Sequence, residues 1–331
     1  MKKIYGIGNP LIDILSNITN EDLTALSLYK GTMHLIDKPR HKELLDYLKT
    51  KKLVYSPGGS CPNTMVTLCS LGVQTTLAGG VGKDELSEVY RSKLRETGVG
   101  DDLVSYDEPT GTSIILLTDD KERTMNTFLG ANKCFDADDV NLDNIKDASI
   151  FYFTGYMWDT EPQKRAIRKV LAFCRENNIK VAFDIADPFA VGRYRSDFLN
   201  LIKDHCDIVF ANSEEARYLF DNYDAYECCR SMGKLAPIAV VKNGKKGSFV
   251  SDNRVITKIE VQGSSEPVDT TGAGDTYAAG FLYGIAKGYS SETAGKIASY
   301  LAGEIISQIG AQFSKEKSLE LRKYIQEHYG T

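Results

Sequence analysis

The sequence predicts an α/β protein with three layers: a mainly parallel central sheet with helices on both faces, joined by a small β-sheet lid. Three observations support this prediction. Apolar, β-rich runs alternate with helical patterns from residue 148 onward, as they do in βαβ units. These runs are continuously apolar, which is typical of strands buried on both faces. Two earlier β-rich runs are joined by a charged turn instead of a helix.

The individual elements follow in chain order. Three predicted strands are each followed by a predicted helix, in the pairs 148–153 with 163–177, 180–185 with 197–203, and 207–211 with 214–220. Further strands are predicted around a polar turn that contains glycine, at 238–241, 247–250 and 254–261. Two final helices carry apolar residues on one broad face, at 271–287 and 292–309.

The lid is predicted from segments within about 11–36 and 105–130. Runs 112–118 and 124–129 are separated by charged residues, which indicates a hairpin. Residues 1–331 contain no repeat or evident linker, so we predict a single domain with the lid as an insertion. A projecting sheet beside a binding site is a candidate for a closing lid.

Composition limits the class of ligand. The chain has 331 residues, 42% hydrophobic, and a net charge of −5, which disfavours nucleic-acid or anionic-membrane partners because both bind basic surfaces. No stretch reaches the roughly 18 apolar residues of a membrane span, and the start lacks the apolar run of a signal peptide. Seven scattered cysteines favour reduced, buried thiols. We therefore expect a cytoplasmic monomer or homodimer that binds a small molecule.

The most informative motif is at residues 269–280, where a glycine-rich turn leads directly into a helix. Gly272 and Gly274 allow an anion close to the backbone, and the free amides at the helix start would bind it. Asp275, in the first turn, would repel phosphate, so we expect it to face an attacking hydroxyl. A simple helix cap is the alternative. The motif indicates phosphoryl transfer, and the absence of G-x-x-x-x-G-K-[ST] excludes a P-loop kinase.

Other polar residues follow predicted strands, at the edge where open α/β sheets bind ligands. Asn9 and Asp13 follow the first strand, and their amide and carboxylate suit sugar hydroxyls. The G-x-G of Gly6 and Gly8 has Leu11 where a dinucleotide-binding motif has its third glycine, which disfavours a dinucleotide oxidoreductase.

A second glycine pair precedes a predicted helix. Gly58 and Gly59 would lie against a ligand while Asn63 bonds a hydroxyl. A plain helix start is the open alternative, with Pro62 at the first helical position and a cap at the residue before it or at Ser60.

Asn212, Ser213 and Glu215 begin another helix. Ser213 followed by acidic residues is a plain capping arrangement, but beside a phosphate site Asn212 and Glu215 would suit water-shelled Mg²⁺. We expect Arg123 and the lysines of 242–246 to be solvated charges that reach phosphates only if they fold over the cleft.

Together these motifs resemble the ribokinase or PfkB family of carbohydrate kinases over essentially the whole chain, and within it the adenosine kinases. The most specific element is 269–275, which looks like the C-terminal signature of the family. Residues 58–72 are similar to the N-terminal signature. The resemblance implies a ribokinase-like fold and phosphorylation of a primary hydroxyl by ATP with Mg²⁺, with the 5′-hydroxyl of adenosine as the expected acceptor. A sugar kinase, an inosine or guanosine kinase and a nucleotide-binding protein without turnover are the alternatives.

The resemblance also implies roles for individual residues. Asp275 would be the catalytic base, with an ordinary pKa because the helix dipole keeps it ionised, and the amides of Gly272, Ala273 and Gly274 would form the anion hole. The acceptor would contact Asn9, Asp13, Gly58, Gly59, Ser60 and Asn63. ATP would contact Arg123, Asn212, Lys242, Asn243, Gly244 and Gly247. Asn212 and Glu215 would be tied to Mg²⁺, and Asp269 and Thr271 would lie at a monovalent cation such as K⁺.

Overall fold

The chain forms two β-sheets of different size. The computed structural model describes residues 3–120, 122–263 and 267–330. Numbered along the chain, the strands are β1 (Lys3–Ile7), β2 (Leu11–Asn17), β3 (Met33–Leu35), β4 (Val54–Gly58), β5 (Thr75–Gly82), β6 (Gly100–Tyr106), β7 (Thr112–Leu117), β8 (Arg123–Phe128), β9 (Ala148–Thr154), β10 (Lys180–Asp184), β11 (Ile208–Asn212), β12 (Ile238–Lys242), β13 (Ser248–Asp252) and β14 (Val255–Ile259).

The helices fall between these strands and after them. In chain order they are α1 (Asn20–Ala25), α2 (Lys38–Leu48), α3 (Ser60–Ser70), α4 (Glu85–Thr97), α5 (Glu161–Asn177), α6 (Pro188–His205), α7 (Ser213–Phe220), α8 (Ala225–Met232), α9 (Ala273–Lys287), α10 (Ser291–Ile305) and α11 (Lys315–Tyr329). None of the described helices has the length and apolar character needed to cross a membrane.

The large sheet has nine strands in the order β14-β13-β12-β11-β10-β9-β1-β5-β6. Pairing is parallel from β12 to β6, and β13 and β14 add antiparallel strands at one edge. The predicted parallel sheet is confirmed. β1 lies between β5 and β9, so the strand order reverses there, and the carboxyl end of β1 opens into the crevice where such sheets bind ligands.

Helices cover both faces of this sheet, as predicted. Neighbouring residues of one strand enter different cores: Val209 belongs to the core with α5, α6, α7 and α8, whereas Phe210 packs edge-on against Phe281 of α9. Both side chains are fully buried. Because successive side chains of a strand point to opposite faces, strands covered twice must be apolar throughout, which explains their continuously apolar sequence.

The small sheet has the order β3-β8-β7-β2-β4. One face packs on α1 and α2, where Ile14, Ile114 and Leu116 share a core with Leu44 and Leu48. The alternate residues of the same strands line a cleft beside the large sheet, among them Asp13, Ser113 and Ile115. The small sheet is therefore a scaffold on one face and a cleft wall on the other.

Two elements differ from the predictions. β4 pairs antiparallel with β2 and joins the small sheet, although Val54–Gly58 lies outside both ranges predicted for the lid. The pairing partner of a strand is non-local and leaves no mark on so short a run. α6 begins at Pro188 instead of residue 197, because Asp187 caps it and Pro188 occupies its first position.

Candidate active site

One cleft of about 980 Å³ brings most of the predicted site residues together. It is lined by Asn9, Asp13, Gly59, Ser60, Asn63, Arg123, Asn212, Glu215, Lys242, Gly244, Gly247, Thr271, Gly272, Ala273, Gly274 and Asp275. Three other predicted residues contact this lining from outside it, namely Gly58 beside Asp13, Asn243 beside Gly247 and Asp269 beside Thr271.

The glycine-rich turn forms the floor of the cleft. Gly272 is the N-cap of α9 with a left-handed backbone (φ 71°), and a Cβ there would come within 2.6 Å of the Ala311 side chain. Glycine is therefore required both by the backbone angle and by the space. The first turn of α9 follows directly, which places the positive end of the helix dipole and its amides at the cleft.

Asp275 lies in that first turn and is held by two donors from α3. The Ser60 hydroxyl donates to Oδ1 at 2.6 Å, and Asn63 Nδ2 donates to Oδ2 at 3.0 Å. Burial raises the pKa of Asp275 to about 6, and Asp184 adds to the rise, while the two hydrogen bonds and the Lys242 ammonium oppose it. The expectation of an ordinary pKa was wrong, because the helix dipole does not offset the loss of solvent around this carboxylate.

On the side of the cleft next to the small sheet, two glycines let β4 and α3 approach β2 and the residues before it. A Cβ at Gly58 would collide with the Asp13 carboxylate, and one at Gly59 (φ 103°) would collide with the carbonyl oxygen of Asn9. Gly59 is also the N-cap of α3, so the predicted cap at Ser60 or Cys61 was wrong, and Pro62 stands at the third helical position instead of the first. The glycines at 58 and 59 are explained by how closely Asp13 and Asn9 lie against them, since any side chain there would collide with these residues.

Asp13 is a partly exposed residue at the junction of the two sheets, and it lines the cleft. Burial raises its pKa to about 7; the nearby charge of Asp275 raises it further, and the Arg123 guanidinium lowers it. Two carboxylates thus face the same part of the cleft. A hydroxyl-rich acceptor that donates hydrogen bonds to Asp13 would relieve this unfavourable desolvation.

The orientation of the Asn9 amide is set by residues that the sequence did not indicate. Gln163 Nε2 donates to the carbonyl of Asn132 at 3.0 Å and to Asn9 Oδ1 at 2.7 Å, while Gln163 Oε1 accepts from the Thr160 hydroxyl at 3.0 Å. Because a carbonyl can only accept, the Gln163 amide has one allowed orientation. Asn9 therefore presents Nδ2, a donor, to the cleft.

On the opposite side, a buried charge cluster surrounds Lys242. Its ammonium lies 3.0 Å from Asp184 Oδ2, and the carboxylates of Asp184, Glu215 and Asp275 raise its pKa although burial opposes this. The expected solvated lysine is thus wrong at Lys242, since the parallel strand β10, which lies beyond β11 in the sheet, ends in the Asp184 carboxylate. Asp184 was missed, although it also ends a strand and the strand-end rule would have identified it.

Asn212 and Glu215 form a reciprocal cap at the start of α7. Asn212 Oδ1 accepts from the Glu215 amide at 2.8 Å, and Glu215 Oε2 accepts from the Asn212 amide at 2.7 Å. The cap is therefore Asn212 and not Ser213. Burial raises the pKa of Glu215 to about 7, Asp184 and Asp187 add to the rise, and Lys242 opposes it.

This region fits a hydrated divalent cation. Asp184, Glu215 and Asp275 supply more negative charge than Lys242 neutralises, and carboxylate oxygens are the donors that Mg²⁺ prefers. Across the described ranges, no three His, Cys, Asp or Glu side chains converge as direct ligands. Attachment through water, as predicted for Asn212 and Glu215, is consistent with both observations.

The turn between β12 and β13 borders the same side. The Asn243 amide donates to the Gly247 carbonyl at 2.8 Å, and Gly244 and Gly247 both have positive φ angles (53° and 85°). A Cβ at Gly247 would collide with the carbonyl oxygen of Ile259. The tight turn places the backbone of Gly244 and Gly247 at the rim of the cleft.

Asp269 and Thr271 do not fit a monovalent cation. Asp269 Oδ1 accepts from the amide and hydroxyl of Thr271 at 2.8 and 2.6 Å, and Oδ2 accepts from the Gly310 amide at 2.9 Å. The Arg123 guanidinium also pairs with Oδ1. Arg123 begins β8 instead of lying at a solvated hairpin tip, and its charge already neutralises the carboxylate that a cation would need.

Apolar side chains of the small sheet form the remaining wall of the cleft. They come from four strands and the residue after β8: Leu11, Met33, Leu35, Ile115, Met125 and Leu129. The cleft therefore combines an apolar wall, several carboxylates and a helix N-terminus.

Comparison with known proteins agrees with this geometry. The pfkB family of carbohydrate kinases matches residues 33–318. Adenosine kinase from Saccharomyces cerevisiae is 29% identical over 335 residues, which cover 94% of this chain and 96% of the yeast protein. The structure of adenosine kinase from Sinorhizobium meliloti has a TM-score of 0.90 and 34% identity, covering 98% of this chain and 99% of that one.

A probable sugar kinase from Rhizobium etli CFN 42 has a TM-score of 0.91 and 33% identity, covering 98% of both chains. The predicted ribokinase-like fold is confirmed by these structures. The family match, the sequence similarity to the relatives and the structural similarity each extend over most of the chain. All of the proteins named are kinases. The chain belongs to the pfkB family of carbohydrate kinases and is a phosphotransferase with an alcohol acceptor.

Proposed function

We propose that this kinase transfers the γ-phosphoryl group of ATP to the 5′-hydroxyl of adenosine, forming AMP and ADP. The observation that carries the proposal is the contact between the two halves of the cleft: Asp275, beside the anion-binding turn, is bonded to Ser60 and Asn63 of the acceptor side. A hydroxyl bound near Asn63 would therefore lie next to both the carboxylate and the phosphate site.

The apolar wall supports a nucleoside over a free sugar. Leu11, Ile115 and Met125 lie on the same face of the small sheet as Asp13. A ribose that bonds Asp13 would place an attached base against these side chains, and burying a planar base there is favourable. A free sugar would leave the wall exposed to water.

Asn9 adds a polar requirement. Its Nδ2 faces the cleft because Gln163 occupies its oxygen. The acceptor should therefore offer a lone pair at this point, which the ring nitrogens and oxygens of a nucleoside provide. The names of the yeast and Sinorhizobium meliloti relatives, both adenosine kinases, point to the same acceptor.

In the proposed reaction the 5′-oxygen attacks the γ-phosphorus while the bond from that phosphorus to the β,γ-bridging oxygen breaks. The hydroxyl proton passes to Asp275, and ADP leaves. The amides of Gly272, Ala273 and Gly274 stabilise the charge on the transferred group. The side chains of Lys242 and Arg123 contact phosphate oxygens. Lys242 is close enough to the turn for this, because its Nζ lies 3.4 Å from the position that a Cβ on Gly274 would occupy.

On the donor side, Asn243, Gly244 and Gly247 border the nucleotide through the backbone of their turn. Asn212 and Glu215 hold the water shell of Mg²⁺. When bound, Mg²⁺ neutralises negative charge on the phosphates. The cytoplasmic location and the monomeric or dimeric state remain predictions from the sequence.

The test is release of ADP by the purified enzyme with ATP and Mg²⁺ over a panel of acceptors: adenosine, inosine, guanosine and ribose. We expect kcat/KM to be highest for adenosine and lowest for ribose. Faster turnover of ribose or another free sugar would favour the sugar-kinase alternative, which the Rhizobium etli neighbour represents. No acceptor-dependent ADP release at all would contradict the proposal.

A further inference from the structure

The segment Gly310–Gln312, here called the brace, contacts the candidate active site from behind. The Gly310 amide donates to Asp269 Oδ2 at 2.9 Å. Ala311 packs so closely on Gly272 that a Cβ on that glycine would lie 2.6 Å from the alanine side chain. The segment lies between α10 and α11 and belongs to neither β-sheet. It supports the anion-binding turn without lining the cleft.

Gln312 extends the brace to the acceptor side. Its Nε2 donates to the carbonyl oxygen of Pro57 at 3.2 Å and to Asn63 Oδ1 at 3.1 Å. A carbonyl oxygen can only accept, so the atom of Gln312 that faces Pro57 must be Nε2. The same Nε2 then requires an acceptor from Asn63. The Asn63 amide is thereby left with Nδ2 toward Asp275, where it donates to Oδ2 at 3.0 Å.

We propose that Gln312 is a positioning residue for phosphoryl transfer: it selects the orientation of the Asn63 amide in which that amide donates to Asp275. This inference rests on the proposed role of Asp275 as the base. Without Gln312, the Asn63 amide could rotate and present its oxygen to the carboxylate. Two oxygens would then face each other in a buried site, and the carboxylate would lose one of its two donors.

A neighbouring amide provides a control for the proposed role of Gln312. The Gln308 amide lies in the same part of the chain, and its Nε2 donates to the carbonyl of Gln312 at 2.9 Å. This hydrogen bond is to the backbone and not to Asn63, so removing the Gln308 amide tests whether losing any amide near the brace has the same effect. Gln308→Met is therefore the matched control for Gln312→Met.

The decisive experiment is a double-mutant cycle on kcat with the best acceptor of the panel, using Gln312→Met, Asn63→Ala and the double variant. We expect Gln312→Met to lower kcat on the order of tenfold in the wild-type background, as for loss of a hydrogen bond to a charged site. In the Asn63→Ala background the same change should cost less than about twofold, because the residue acts through Asn63. Gln308→Met should leave kcat within about twofold of wild type.

Equal losses from Gln312→Met in both backgrounds would overturn the inference, since a merely structural role is additive. Thermal unfolding of each variant identifies any loss due to misfolding. Gln312→Glu provides a second route: a carboxylate can only accept, so it should turn Asn63 Nδ2 away from Asp275 and lower kcat more than Gln312→Met does. A Gln312→Glu enzyme as active as wild type would also overturn it. If no acceptor of the panel supports ADP release, the proposed function fails; if Asp275→Asn keeps full turnover, the role of Asp275 as the base fails; if only the cycle is additive, this inference alone fails.

Discussion

The large and small sheets differ in how many of their faces helices cover. The large sheet is covered on both faces, and its central strands, such as β9 and β11, are almost entirely apolar. The small sheet is covered on one face only, and its strands alternate between core residues such as Ile14 and cleft residues such as Asp13. The uncovered face is the one that a ligand can occupy.

The two sheets also carry different parts of the proposed function: the large sheet holds the residues for phosphoryl transfer, and the small sheet holds those that bind the acceptor. Asp275, Lys242 and Asp184 belong to elements packed on or within the large sheet, where both faces hold them in place. Asp13 and the apolar wall belong to the small sheet. Changes on the large-sheet side should therefore lower kcat, and changes on the small-sheet side should raise the KM of the acceptor.

The largest effect is expected for Asp275→Asn, on the large-sheet side. Asparagine keeps the shape and a hydrogen-bonding oxygen but cannot accept the hydroxyl proton, so kcat should fall on the order of 10²-fold or more. Steady-state kinetics with saturating adenosine and ATP measure it. ATP affinity and thermal unfolding serve as controls and should stay near wild type. A variant that keeps wild-type kcat would remove Asp275 from the chemistry.

Asp13→Ala, on the small sheet, is the matching change in the binding half. Loss of hydrogen bonds between a carboxylate and ribose hydroxyls should raise the KM for adenosine by roughly 10- to 100-fold, with a smaller change in kcat. Initial rates over a range of adenosine concentrations distinguish the two parameters. An unchanged KM would break the division between the two sheets.

The pH dependence of kcat and kcat/KM should reflect the ionisation of both Asp275 and Asp13. Asp275, with a pKa raised to about 6, faces Asp184 and Lys242, and Asp13, with a pKa raised to about 7, faces Asp275 and Arg123. Both must be ionised, so kcat should fall about tenfold per pH unit below 6, while kcat/KM should begin to fall nearer 7. An Asp13→Asn enzyme should lose the higher step only; retention of that step would show that Asp13 does not titrate in the acceptor site.

The same shifts predict a trend in stability with the opposite sign. Both carboxyl groups bind a proton more tightly in the folded chain than in the unfolded chain, where their pKa is near 3.8. The folded state therefore holds more protons between these values. The contribution of these groups to the free energy of unfolding should decrease as the pH rises from about 4 to about 7.

The smallest effect is expected for Met125→Ala in the apolar wall. Removing part of a partly exposed side chain should raise the KM for adenosine roughly fivefold through lost apolar contact and leave kcat unchanged. Val255→Ala, on the exposed strand β14, is the control and should change neither parameter. A larger effect on kcat than on KM would show that the wall also positions the hydroxyl.

Local patterns predicted much of this molecule. Continuously apolar runs indicated the parallel sheet, because a strand between two helical layers has no polar face. The turn before Asp275 was recognisable because its glycines and the helix that follows are adjacent in the chain. The pairing of β4 with β2 was not recognisable, since five residues carry no record of a distant partner.

What the sequence determined alone is therefore most of the order of strands and helices from residue 148 onward, the anion-binding turn and the family resemblance, all of which depend on neighbouring residues. Only the tertiary structure decided the burial of Lys242 beside Asp184, the raised pKa of Asp275, and the amide orientations that Gln163 and Gln312 impose on Asn9 and Asn63. The reason is physical. Desolvation and hydrogen-bond direction depend on which atoms surround a group in space, and those atoms come from segments far apart in the chain.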